Sequence, residues 1–167
     1  MNDTLQGSED ALLTTTVNGE AVRRPVRVRQ HLADFLRNDL GLTGTHLGCE
    51  HGVCGSCTVV LDGQVVRGCL TLAVQAEGCS VQTIEGLTDN GELKALQQAF
   101  IRHNASQCGF CTAGMLLTAR ELLATGEPLE RAQVRDHISG NFCRCTGYQS
   151  IVEAILEVAN QPRAVAR

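Results

Sequence analysis

A chain of 167 residues has room for one ordinary domain or two small ones. Hydrophobic residues make up 43 %, enough for a core, although aromatics are only 3 % and tryptophan is absent. The formal net charge of −4 speaks against nucleic-acid binding, no apolar run reaches the length of a membrane span, and the polar, acidic residues 1–10 do not read as a secretory signal, so a cytoplasmic location is expected.

Residues 1–10 read as a flexible tail. Leu12 to Val17 is β-branched and predicts a strand, and Asn18-Gly19 is a two-residue hairpin signal. The return strand runs from Ala21 to Val28, and Pro25 within it predicts an edge position. Leu32, Phe35, Leu36 and Leu40 recur at helical spacing, with Gly41 at the expected C-terminus. A glycine-rich loop with three cysteines follows. Thr58 to Leu61, Asp62-Gly63 and Gln64 to Val66 then read as strand, turn and strand. Ser80 to Ile84 is a last short strand. Together these elements predict a small mixed sheet crossed by one helix.

From about Glu85 the strand signal vanishes. Gly86 to Gly91 reads as a polar connection. Beyond it, four apolar stripes predict four helices. They are Leu93, Leu96 and Phe100; Met115, Leu116, Ala119, Leu122 and Leu123; Val134 and Ile138; and Ile151, Val152, Ile155, Leu156 and Ala159. Gly126 and Gly140 are the expected stops of the second and third. The expected fold class is α+β, with a sheet domain at 11–86 and a four-helix bundle at 87–167.

Eight of the nine cysteines fall into two sets of four. Cys49, Cys54, Cys57 and Cys69 follow C-x4-C-x2-C with a distant fourth, the plant-type spacing for a [2Fe–2S] cluster held by four thiolates. The β-hairpin after Cys57 can return Cys69 to the loop. Cys108 and Cys111 form C-x2-C, and Cys143 and Cys145 form C-x-C, each pair at a predicted inter-helix loop. Cys111 directly precedes a predicted helix, whose N-terminus would favour an anionic group. A disulfide framework would need an oxidising compartment, and close pairs such as Cys54/Cys57 favour metal ligation instead. Zinc remains a rival, most of all for the second set taken alone. A Rieske arrangement fails for want of a second histidine, and His51 reads as a solvated loop residue. Cys79 is left over and reads as a small buried hydrophobe.

Three stretches carry a closer resemblance. They are Leu40 to Gly63, reading LGLTGTHLGCEHGVCGSCTVVLDG; Gln107 to Thr112, reading QCGFCT; and Gly140 to Tyr148, reading GNFCRCTGY. On these the chain resembles the small iron–sulfur subunit of bacterial molybdenum hydroxylases, the xanthine oxidase family, over nearly its whole length. The resemblance implies a β-grasp ferredoxin-like domain followed by a helical domain, with a [2Fe–2S] cluster in each. It implies that Gln107 and Cys145 lie beside a molybdopterin cytosine dinucleotide held mainly by a large subunit, with FAD on a medium subunit and a dimer of heterotrimers as the assembly. No catalytic residue is expected in this chain, and Glu50, Asp62 and Glu153 read as surface charges. Ala113 stands where the family usually has proline, and Phe142 where an aliphatic residue is common. A free-standing two-cluster ferredoxin and a zinc-stabilised interaction module are the readings from other classes.

Overall fold

The computed structural model describes residues 10–161. The tail expected at 1–10 therefore lies outside the described residues, apart from Asp10, which opens the first strand. Strands β1 (Asp10–Val17) and β2 (Glu20–Arg27) form the first hairpin. Asn18 and Gly19 turn it with φ values of 52° and 87°, the left-handed pair that a two-residue turn requires. β3 (Thr58–Leu61) and β4 (Gln64–Arg67) form the second, turned by Asp62 and Gly63 in the same conformation. β5 (Ser80–Gln82) lies between the hairpins, parallel to β1 and antiparallel to β3. The sheet order is β2-β1-β5-β3-β4, so Pro25 stands on an edge strand, where its missing N–H disrupts no central ladder.

Helix α1 (Leu32–Asp34) continues as a π-helical segment, Phe35–Asp39. Its fully buried Leu32, Phe35 and Leu36 share a core with Leu13, Val17, Val26, Val59 and Val81 of the sheet. A second core gathers α3 (Lys94–Arg102), α4 (Thr112–Leu123), α5 (Arg131–His137) and α6 (Gln149–Ala159). Met115, Leu117, Val134, Ile151 and Ile155 are its closed centre. β3 serves both cores. Successive side chains of a strand point to opposite faces, so Val59 enters the sheet core while its neighbour Val60 enters the helical one. α4 packs directly across β3.

One expectation fails at the junction. The stretch predicted as a polar connection, Gly86 to Gly91, is largely helix α2 (Ile84–Asp89). The expected last strand accordingly stops at Gln82, and Ile84 belongs to the helix. Leu87 is fully buried among the helices. Asn18 accepts from Thr83 N–H at 2.8 Å, and Glu85 accepts from Gly44 N–H at 2.7 Å. Gly86 fits against the Asn18 side chain, where a Cβ would come within 2.4 Å of Cγ. The glycine that reads as a connector is there because the helix start is pressed on the β1–β2 turn.

Candidate metal centres

The first thiol set is built by one loop and one hairpin. Cys49, Cys54 and Cys57 share the loop ahead of β3, and β4 ends two residues before Cys69, which returns beside Cys57. Gly68 N–H donates to Cys57 C=O at 3.0 Å, closing that return. Cys57 and Cys69 are buried, while Cys49 and Cys54 are half-buried. Cys54 N–H donates to Cys49 Sγ at 3.4 Å.

The environment acts on these thiols in opposite directions. Hydrogen bonding from the His51 backbone, then the Cys54 backbone, brings the Cys49 thiol down from 9.0 to about 6. Burial pushes Cys57 up to about 11. A thiol kept neutral by burial releases its proton to solvent when a cation coordinates its sulfur, since the cation supplies the charge stabilisation that burial removed.

The second set is built from two loops. Cys111 is the residue before α4, and Cys108 lies three positions earlier. Cys143 and Cys145 lie ahead of α6, whose first turn is preceded by Tyr148 in the left-handed region at φ 69°. The Tyr148 hydroxyl accepts from Cys143 N–H at 2.9 Å, and Thr146 Oγ1 accepts from Tyr148 N–H at 3.1 Å. Burial pushes the Cys111 thiol up to about 12. Cys143 is lowered: burial opposes ionisation, but hydrogen bonds from the Thr146 hydroxyl and backbone outweigh it. Cys145 is raised, first by its hydrogen bond with Cys108. Cys108 and Cys145 are exposed, and Gln107 is exposed beside them.

Among the described residues, no three His, Cys, Asp or Glu side chains gather for a single ion. The thiols meet two by two instead. Cys49 lies against Cys54, Cys57 against Cys69, Cys111 against Cys143 and Cys108 against Cys145. Four cysteines in two pairs suit a [2Fe–2S] cluster, with two thiolates for each iron, so the donor chemistry fits that group. Thr45, four residues before Cys49, has the one buried side-chain polar atom among the described residues without a partner.

The structure keeps Cys79 apart from both sets, and it is half-buried rather than buried as expected, because it sits at the end of the turn ahead of β5. Its Sγ lies 3.7 Å from Gln75 O and 3.6 Å from Glu77 O, and its thiol is raised first by a hydrogen bond with Asp62. His51 is exposed, with Nδ1 on the Cys49 carbonyl. Asp62 is a turn residue whose Oδ1 accepts from Ser80 N–H at 2.7 Å, and Glu153 pairs with Arg131 at 2.7 Å. Exposed Phe110, between Cys108 and Cys111, stacks on His46 with centroids 4.8 Å apart. Phe142 is 52 % exposed, so its ring is not packed into the core beside Cys143.

Sequence reasoning did not pair the residues that join the two sets. Asn141 is 1 % exposed, and its Nδ2 donates to Gly55 C=O at 3.2 Å. Thr118 Oγ1 donates to Asn141 Oδ1 at 3.1 Å. Phe142 N–H donates to Cys54 C=O at 2.8 Å, linking a residue of the first set to the neighbour of Cys143. Gly55, at φ +76°, and Gly114 allow this approach, since a Cβ on Gly114 would lie 2.2 Å from Gly55 O. The signal available in the sequence was a glycine inside the first motif and another two residues past the second, with nothing to pair them.

Comparison with known proteins places both halves. Residues 15–88 match the family described as 2Fe-2S iron-sulfur cluster binding domain, and residues 83–156 match the [2Fe-2S] binding domain. The chain is 53 % identical to the nicotine 6-hydroxylase small subunit of Paenarthrobacter nicotinovorans, over 92 % of this chain and 93 % of that one. It superposes on a chain of quinoline 2-oxidoreductase from Pseudomonas putida 86 with a TM-score of 0.86 and 56 % identity, covering 91 % and 95 % of the two. Against the aldehyde oxidoreductase of Desulfovibrio gigas the TM-score is 0.80 at 42 % identity, over 89 % of this chain but 17 % of that longer one.

Proposed function

Since the chain belongs to the small iron–sulfur subunits of the xanthine oxidase family, and is thus the iron–sulfur subunit of an oxidoreductase, we propose that it holds two [2Fe–2S] clusters. Cys49, Cys54, Cys57 and Cys69 hold one, and Cys108, Cys111, Cys143 and Cys145 hold the other. When bound, these clusters would pass electrons one at a time between a molybdopterin site on a large subunit and FAD on a medium subunit. We read the sheet half, 11–86, as a β-grasp domain and the helical half, 87–167, as a four-helix bundle. The assembly we propose is a cytoplasmic dimer of heterotrimers. Among the described residues no helix is long and apolar enough to cross a membrane.

The observation that carries this reading is the sorting of eight thiols into two sets of two pairs, with the ninth left out. The protein's own part is to hold the thiolates and tune what they bind. Backbone donors such as Cys54 N–H favour the thiolate form of the first set, while the Thr146 hydroxyl does so for Cys143. The exposed end formed by Gln107, Cys108 and Cys145 is the face we assign to the molybdopterin cofactor. An uncharged amide with donors and an acceptor suits a cofactor edge. We assign no proton-transferring role to this chain.

The test is metal analysis and EPR on the purified protein. Iron and acid-labile sulfide in equal amounts, with two distinct EPR signals on reduction, are expected. Stoichiometric zinc without visible absorption would replace this reading with that of a zinc-stabilised module.

A further inference from the structure

The seam between the two thiol sets contains a cation that the reading above does not use. Arg67 is the last residue of β4, two residues before Cys69. Its half-buried guanidinium donates to Gly140 C=O at 2.8 Å and to Asn141 Oδ1 at 3.3 Å. It also donates to Thr58 Oγ1, next in the chain to Cys57. Gly140 and Asn141 lead directly to Cys143. The guanidinium therefore touches the neighbour of one ligand set and the segment that carries the other.

All of its hydrogen-bond acceptors are neutral. None of the ion pairs among the described residues includes Arg67. Withdrawing a cation from water without an anionic partner is unfavourable. Burial without a carboxylate is reasonable where negative charge comes from elsewhere. Here the guanidinium is bonded to Thr58, next in the chain to Cys57, and to the Gly140–Asn141 segment that leads to Cys143, and both thiol sets become anionic on binding iron. A fixed positive charge beside an iron–sulfur cluster favours the form carrying one more electron, because net charge is among the determinants of its potential.

We propose that Arg67 is a positioning residue for both centres: its fork holds the Gly140–Asn141 segment against the first loop, and its charge raises the reduction potential of both clusters. The proposal rests on the reading of the two thiol sets as [2Fe–2S] sites. Absence of iron and of EPR signals from the wild-type protein would end that reading before any variant is made.

The experiment is a redox titration followed by EPR on the intact protein, for wild type, Arg67→Gln and Arg67→Lys, with iron content measured on each. Arg67→Gln removes the charge and keeps an amide donor. Both potentials should fall, by about a tenfold drop in the one-electron reduction constant, or 59 mV. Arg67→Lys keeps the charge and loses the planar fork. It should stay near the wild-type potentials while the magnetic interaction between the two centres changes. An iron-loaded Arg67→Gln with unshifted potentials would overturn the electrostatic role, as would an equal fall in Arg67→Lys. If Arg67→Gln sheds iron, Arg67→Lys decides. Loading with wild-type potentials supports the role of charge, and shedding iron as well shows that only the fork matters.

Discussion

Cys49, Cys54 and Cys57 reach one another along a single loop, and a two-residue hairpin turn brings Cys69 to them. Cys108 and Cys145 lie on separate loops and meet only because α4 and α6 are packed in one core. The first set is the more enclosed, with Cys57 and Cys69 buried; the second keeps Cys108 and Cys145 exposed. Local geometry therefore builds the first site, and tertiary packing builds the second. Enclosure and exposure also suit different tasks, since a buried pair is shielded from solvent while an exposed pair can approach a partner.

The largest effect should come from removing one proposed ligand from each set, the buried Cys57 from the first and the half-buried Cys111 from the second. Cys57→Ser and Cys111→Ser should each remove about half the iron, with loss of a different EPR signal in each. The survivors sharpen the comparison. With Cys111→Ser the first centre should keep its wild-type thermal stability, because all four of its thiols come from one loop and the hairpin that follows it. With Cys57→Ser the second should be retained less firmly, because the Gly55 loop supports the Asn141 segment. Equal retention in both variants would mean that the two sites do not differ in this way.

Next in size is a change at the seam. Gly114→Ala places a Cβ 2.2 Å from Gly55 O, backbone against helix, with no flexible side chain to yield. Overpacking of this kind costs about 1–3 kcal/mol, a fall in Tm of roughly 2–4 °C per kcal/mol for a chain of this length. Thermal unfolding followed by visible absorption should show the second centre lost first. Simultaneous loss of both signals would indicate a single cooperative unit.

The same contrast explains what the sequence disclosed. The β3–β4 hairpin was legible to within a residue, since Asp62-Gly63 determines its turn and Thr58 to Leu61 has a strong β preference. The eight paired thiols were legible as two sets because spacing within each short motif is local. Helix α2 was not, because Gly86, Thr88 and Asp89 are poor helix signals. Only the burial of Leu87 and the Asn18 contact, both tertiary, favour helix there. The seam was illegible for the same reason. Arg67 lies just past the strand read at Gln64 to Val66, and Gly55 and Gly114 are a loop glycine and a helix glycine until Asn141 is folded against them.

A smaller, one-sided effect should follow Tyr148→Phe. The phenol oxygen accepts from Cys143 N–H at 2.9 Å. Its loss leaves a half-buried amide without that partner, at a cost of about 1–3 kcal/mol. The EPR signal of the second centre should broaden or shift, and its iron should be more readily chelated. The first centre has no contact with this hydroxyl and should be unchanged. A shift of the first signal would show that the C-x-C loop transmits strain across Phe142 N–H to Cys54 C=O.

The smallest expected effect is that of Cys79→Ser, and its smallness is what tests the ligand assignment. On the proposed assignment both sets are complete without Cys79, whose thiol faces the carbonyls of Gln75 and Glu77 and the Asp62 carboxylate. Serine can donate in place of the thiol, and the backbone bonds Thr16 N–H to Cys79 C=O at 3.0 Å and Cys79 N–H to Ala76 C=O at 3.1 Å involve no side chain. Stability at neutral pH should therefore change by less than about 0.5 kcal/mol, and iron content should not change. The thiol is raised above 9.0 in the folded chain. A raised acid holds its proton longer folded than unfolded, so its stabilising term is intact below pH 9 and is lost as pH rises through the folded value. Serine does not titrate there. Comparing unfolding at neutral pH and above pH 9 should thus show wild type losing stability relative to Cys79→Ser on the alkaline side. Loss of either EPR signal in the variant would instead make Cys79 a ligand and dissolve the two sets of four.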